Sequence, residues 1–264
     1  MVSTPHTVEL EPAEASGCRN YQGIAWYRKH FTLDKAYAGK KVVLYFEAVM
    51  GKCKVYLNGK LVKQHLGGYL PFSIDLLEAG AVPGQKCVVA VCADNSDDKN
   101  YPPGKSQKTL DFAYHGGIYR DIWLVVKNTV NISDPNEAGK LAGGGVFVHY
   151  GEINDKLADV FIDTDVQNQS GGAKSVKVET SLLDPKGNVV ARTVASVSLK
   201  KGESKQVKQT AKVKNPVLWT PDEPLLYHVE SRVISGKISL DGGMTRIGIR
   251  KAEFRGVDGF YLNG

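Results

Sequence analysis

A chain of 264 residues, 42% hydrophobic and 23% charged, has the makeup of a folded globular protein and is long enough for two ordinary domains. It contains no run approaching the roughly 20 apolar residues that a membrane-spanning helix needs, and residues 1–6 lack the basic and apolar regions of a secretory signal. The formal charge of +6 is spread, with 16 Lys and Arg against 12 Asp and Glu in residues 1–130 and 18 against 16 in residues 131–264, so no basic tail or helix marks a nucleic-acid partner.

No membrane partner is expected either, and the compartment stays open between cytoplasm and a periplasm reached after removal of a leader. Cys18, Cys53, Cys87 and Cys92 lack the paired C-x2-4-C or nearby His spacing of a zinc site. Cys87 and Cys92 stand five apart in a strand-like run and face opposite ways, which prevents an easy bridge between them. All four are read as buried, inert thiols.

In chain order, period-2 patterning dominates and helical periodicity is almost absent. Cys53, Val55 and Leu57 share one strand face while Lys52 and Lys54 take the other. Asn58-Gly59 follows at once, and a type I′ turn demands positive φ at both central residues, so a hairpin returning through Lys60-Leu61-Val62 is predicted. The polar run Asp94-Asn95-Ser96-Asp97-Asp98 resembles part of a calcium loop, but the sixth and twelfth positions are Lys99 and Lys105 instead of Gly and Glu. It is read as a surface loop, extending through Lys108 past Pro102-Pro103-Gly104.

Residues 131–145, with Asp134-Pro135-Asn136 and Gly143-Gly144-Gly145, interrupt the alternation and mark a boundary. One domain is therefore set at 1–130, a linker at 131–145 and a second domain at 146–251. In the second, Ala158, Val160, Ile162, Thr164 and Val166 alternate with Asp159, Phe161, Asp163 and Asp165, and Val176, Val178, Thr180 and Leu182 repeat the pattern. Asp184-Pro185-Lys186-Gly187-Asn188 turns the chain into Val189–Leu199, and Lys201-Gly202 turns it into residues 207–213. Such strands with polar outer faces describe a β-sandwich, so the fold class is all-β.

Gly171-Gly172-Ala173-Lys174-Ser175 lacks the core of a phosphate loop and opens a strand, and is read as a turn. Asn131-Ile132-Ser133 and Asn168-Gln169-Ser170 match a glycosylation pattern that is short enough to arise by chance. No Gly-x-Ser-x-Gly or His-Glu-x-x-His motif is present. Asp94, Asp97, Asp98, Asp111 and Asp121 are carboxylates in or beside polar loops, with nothing local in sequence to raise one pKa for acid catalysis. Residues and spacing alone give a two-domain β protein without an assigned role.

Four blocks add a resemblance. Trp26-Tyr27-Arg28-Lys29-His30-Phe31 is similar to the W-Y-R-x-x-F strand of glycoside hydrolase family 2. Val55-Tyr56-Leu57-Asn58-Gly59, then His65-x-Gly67-Gly68-Tyr69-x-Pro71-Phe72 and Asp75, resembles its V-x-(L/V)-N-G…H-x-G-G-Y-x-P-F…D segment. Gly116-Gly117-Ile118-Tyr119-Arg120-Asp121-Ile122 resembles its G-G-I-(Y/F)-R-D-V block. Residues 216–227, with Trp219, Pro221, Pro224 and Tyr227, resemble its W-x-P-x-x-P-x-L-Y block.

The resemblance, closest to the β-galactosidases, implies a galactose-binding-like jelly-roll followed by an immunoglobulin-like sandwich. It also implies that residues 252–264 begin a connection to a (β/α)8 barrel carrying both catalytic glutamates. That barrel is absent here, and no hydrolysis by this chain alone is expected. The resemblance gives Asp121 a sugar contact in the barrel's pocket, with a monovalent cation nearby in the whole enzyme; a structural Arg120–Asp121 ion pair is the alternative. Asn95 and its loop reach toward the barrel, or form a plain surface loop. Partners would be a β-galactoside-type carbohydrate and the chain's own barrel; a free-standing carbohydrate-binding module is the second reading. Trp26, Trp123 and Trp219 are expected to bury large areas in the sandwiches. Tyr69, Tyr101 and Tyr114 are candidates for sugar stacking, with core packing as the alternative for each.

Overall fold

The computed structural model describes residues 1–9, 21–100, 102, 104–110 and 115–264. Cys18, Tyr101, Asp111 and Tyr114 lie outside the described residues. The chain divides into two compact units, residues 1–126 and 127–264.

The first unit holds β1 (Ile24–Thr32), β2 (Lys41–Phe46), β3 (Lys52–Leu57), β4 (Lys60–Leu66), β5 (Phe72–Asp75), β6 (Lys86–Asp94) and β7 (Ile122–Lys127). They form one sheet in the order β1-β6-β3-β4 and a second in the order β5-β2-β7. Period-2 alternation turns Cys53, Val55, Leu57, Val89 and Val91 inward against Val42, Phe46, Phe72 and Ile74 of the other sheet. Phe46 and Phe72 stack at 4.6 Å, and His65 stacks on Phe72 at 4.5 Å. Asn58 (φ 50°) and Gly59 (φ 85°) close the β3–β4 hairpin, with Leu57 paired to Lys60.

The second unit holds β8 (Val130–Ile132), β9 (Val146–Ile153), β10 (Leu157–Asn168), β11 (Lys174–Leu183), β12 (Val189–Leu199), β13 (Ser204–Lys214), β14 (Tyr227–Ser235), β15 (Ile238–Ile247), β16 (Ala252–Phe254) and β17 (Phe260–Leu262). One sheet runs β13-β10-β8 with β9 also on β10, and the facing sheet runs β12-β11-β14-β15. Ala158, Val160, Ile162, Thr164 and Val166 are all buried, as are Val176, Val178, Thr180 and Leu182. A polar seam crosses this core: Thr180 Oγ1 donates to Gln209 Oε1 (2.8 Å), and Gln209 Nε2 donates to the Val178 carbonyl (3.1 Å). Each buried polar atom of the seam thereby has a partner, which keeps its burial cost low.

The stretch read as a linker differs from expectation at its start. Residues 131 and 132 belong to β8, which pairs with β10, and Asn131 is fully buried. Further along, Ser133 Oγ donates to the carboxylate of Asp165 (2.7 Å) and accepts from the Gly145 amide (3.0 Å). Lys140 also bonds Asp165 (2.5 Å). Asn131 and Asn168 have no exposed surface, and their amides bond backbone carbonyls, so neither glycosylation match is an acceptor in the folded chain.

The tryptophans correct a second expectation. Trp26 is 60% exposed and Trp123 54% exposed, and only Trp219 packs down, against Gly248 with Arg250 5.1 Å over its ring. In β1 the neighbouring Tyr27 takes the inward position with Phe31, its hydroxyl 2.9 Å from His6 Nδ1, and alternation turns Trp26 outward. The cysteines divide as well: Cys53 and Cys87 are buried, whereas Cys92 is half-buried on the outer face. Burial, reinforced by Cys92 nearby, pushes the Cys53 thiol up to about 12, so it stays protonated and unreactive.

Candidate functional site

Asp121 closes the glycine-rich block that leads into β7, and two other sequence blocks are laid against that one. The Met50 amide donates to the Gly117 carbonyl (3.0 Å), the Gly67 amide to Gly51 (3.2 Å), and the Glu47 amide to the Asp121 carbonyl (3.1 Å). These approaches exclude side chains: a Cβ on Gly68 would strike the Met50 sulfur, and one on Gly117 (φ 102°) would strike the Tyr27 hydroxyl. The Tyr119 hydroxyl donates to the Gly68 carbonyl (2.5 Å), pinning the Gly67-Gly68 turn and presenting Tyr69, which is 49% exposed. Tyr69 is therefore not a core residue.

The backbone bond from Glu47 holds Asp121 while its carboxylate makes no hydrogen bond or ion pair among the described residues, and the residue is half-buried. Arg120 does not pair with it. The guanidinium lies 5.4 Å over the Tyr119 ring instead. The alternative of a structural Arg120–Asp121 ion pair is thus not what the structure contains.

Asn95 does not reach outward. It is 1% exposed; its Nδ2 donates to the Tyr21 carbonyl (2.6 Å) and its Oδ1 accepts from the Gly23 amide (2.9 Å). Gln107 Nε2 bonds its carbonyl (2.7 Å), and Gly116 leaves room for its amide, since a Cβ there would lie 2.7 Å from Nδ2. Asn95 is therefore buried instead of reaching outward from its loop, and its amide ties the base of that loop to Tyr21 and Gly23.

The other loop carboxylates serve local structure. Lys52 Nζ sits 3.2 Å from both Asp94 and Asp98. Burial pushes Asp94 up, but hydrogen bonds from Ser96 and Lys52 outweigh it and hold the carboxyl below its usual range. Hydrogen bonds from Ser106 and the Gln107 amide lower Asp97. A glycosidic acid requires a raised pKa, so none of these is set up for that task. Asp121 could supply one hard oxygen to a cation, but no cluster of three or more His, Cys, Asp or Glu suited to a metal occurs among the described residues.

Two β-sandwiches, the first carrying the motif blocks and Asp121, define the class. Models of glycosyl hydrolases family 2 match both: the family's sugar binding domain over residues 4–128, and a second family 2 domain over residues 145–250. The chain belongs to glycosyl hydrolases family 2. It is 33% identical over 264 residues to a β-galactosidase of Thermoanaerobacter pseudethanolicus, covering all of this chain and 33% of that protein. It is 31% identical over 275 residues to a β-glucuronidase of Formosa agariphila, covering all of this chain and 28% of that protein. The β-glucuronidase of Bacteroides uniformis superposes with a TM-score of 0.85 at 28% identity, over all of this chain and 30% of that one. The chain thus spans about a third of the length of these relatives. The jelly-roll and immunoglobulin-like assignments of the two units agree with these matches.

Proposed function

We propose that this chain is the non-catalytic N-terminal part of a family 2 exo-β-glycosidase of β-galactosidase type, supporting and shaping the active site of a (β/α)8 barrel. The observation that carries the reading is Asp121: a carboxylate held by its backbone, half-buried, and without a partner for its side chain among the described residues. A carboxylate held in place with its acceptor oxygens unused by the described residues can take a bond from a sugar hydroxyl or coordinate a monovalent cation. The β16–β17 hairpin adds support, since Phe254 (86%), Val257 and Phe260 (56%) are exposed apolar groups that a packed neighbour would cover.

In this reading Asp121 accepts a hydrogen bond from a hydroxyl of the terminal sugar and helps hold a monovalent cation whose remaining ligands come from the barrel. The Glu47 amide, bonded to the Asp121 carbonyl, helps keep that residue in place. The barrel supplies both catalytic glutamates, and hydrolysis requires it.

The test compares this chain with a longer protein that includes the barrel, on p-nitrophenyl β-D-galactoside, β-D-glucuronide and β-D-mannoside. The expected result is release by the longer protein, fastest from the galactoside and raised by sodium or potassium, with none from this chain. Release by this chain, or none from the longer protein, would overturn the proposal.

A further inference from the structure

The outer face of the sheet β1-β6-β3-β4 carries a feature that the Asp121 reading does not use. Trp26 on β1 and Tyr56 on β3 are separated by β6, so their strands stand roughly 9.5 Å apart. Their rings nevertheless meet, with centroids 5.7 Å apart and planes 37° apart. The residues beneath explain how. Trp26 pairs with Cys92, and Tyr56 pairs with Ala90, so the intervening strand offers two small side chains over which the rings lean together.

Polar groups frame the pair. Arg28 pairs with Ala90 beside Tyr56, and Lys54 pairs with Cys92 and with Gln64, placing three side chains with N–H donors around the rings on the same face. The next row is closed by the Lys52–Asp94 ion pair at 3.2 Å.

Solvated faces of antiparallel sheets are ordinarily polar, and an indole left 60% exposed on the edge strand of one, against a second aromatic ring, calls for an occupant. The surroundings point to its chemistry. The core of a protein interface is depleted in lysine, whereas Lys54 stands directly beside this pair. A pyranose has an axial C–H face that lies on the negative face of an aromatic ring, and a rim of hydroxyls that accept from N–H donors. The family model matched by this unit describes a sugar binding domain.

We propose that Trp26 and Tyr56 form the floor of a carbohydrate-binding face for β-linked oligosaccharides, with Arg28, Lys54 and Gln64 bonding the sugar hydroxyls. This site does not depend on Asp121 or on a barrel.

Native gels containing soluble β-1,4-galactan, hydroxyethylcellulose or glucomannan test it directly on this chain. Retardation is expected in at least one gel. Trp26→Ala and Tyr56→Ala should each weaken it by about tenfold, the scale of one lost aromatic contact, while Trp26→Phe retains most of it. Asp121→Ala should bind like the parent chain, which separates failure here from failure of the Asp121 reading. Melting temperatures of the variants should match the parent, because the rings are exposed. No retardation in any of the three gels, or retardation that survives Trp26→Ala, would overturn the proposal. So would a concentration-dependent dimer that Trp26→Ala dissolves, since the face would then be an interface between copies.

Discussion

Asp121 in the first unit and Asp165 in the second show two opposite uses of the same side chain. Asp165 is 1% exposed and saturated, taking hydrogen bonds from Lys140 (2.5 Å), Ser133 (2.7 Å) and Ser204 (2.9 Å). Burial pushes its carboxyl up, and those bonds outweigh the push and leave it below the usual range. Asp121 is only half-buried, its backbone is tied down, and its carboxylate has no partner among the described residues. A carboxylate whose oxygens are all satisfied internally stabilises the fold; one fixed in place but unsatisfied is available to something else. Removing Asp165 should therefore damage folding, and removing Asp121 should damage activity.

The largest expected effect is on turnover: in the longer enzyme, Asp121→Ala should lower kcat/KM by about 100-fold, the typical loss for one removed charge-stabilising group. Asp165→Ala should leave Ser133, Ser204 and Lys140 without their shared acceptor and destabilise the second unit by about 3 kcal/mol, read from urea unfolding. Equal effects of the two variants on stability would erase the contrast between them.

The pH dependence sharpens it. Asp165 has a folded pKa below its unfolded one, so its stabilisation is complete above about pH 4 and is lost as pH falls through the lowered value. Asp165→Asn should be less stable at neutral pH and should flatten the acid limb of the stability profile, as followed by denaturant titrations at several pH values. Smallest is a local control in the first unit: Gly59→Ala, at φ 85°, should cost about 1 kcal/mol in the same unfolding assay.

The sequence was most legible where local chemistry decides the backbone. Asn58-Gly59 specifies its turn through the φ values that those two residues tolerate, and alternation placed Ala158 through Val166 on a buried face. It was least legible where long-range contacts decide. Alternation shows that Trp26 and Tyr27 face opposite ways, but which of them faces inward depends on packing against distant strands. Asn95 has the composition of a surface loop, and its burial follows from bonds to Tyr21 and Gly23, 74 and 72 residues distant. Ser133 and Lys140 were likewise unreadable as parts of a fold, because their partner Asp165 lies on another strand. At the candidate site, the motif singled out Asp121, but the bare state of its carboxylate required Arg120 to be seen turned onto Tyr119.

The central claim is tested most directly by measuring kcat/KM and melting temperature together for Asp121→Ala in the longer enzyme. The expected result is a loss of activity of about 100-fold with a melting temperature unchanged within error. Unaltered kinetics, or a loss of activity that tracks a lowered melting temperature, would contradict it.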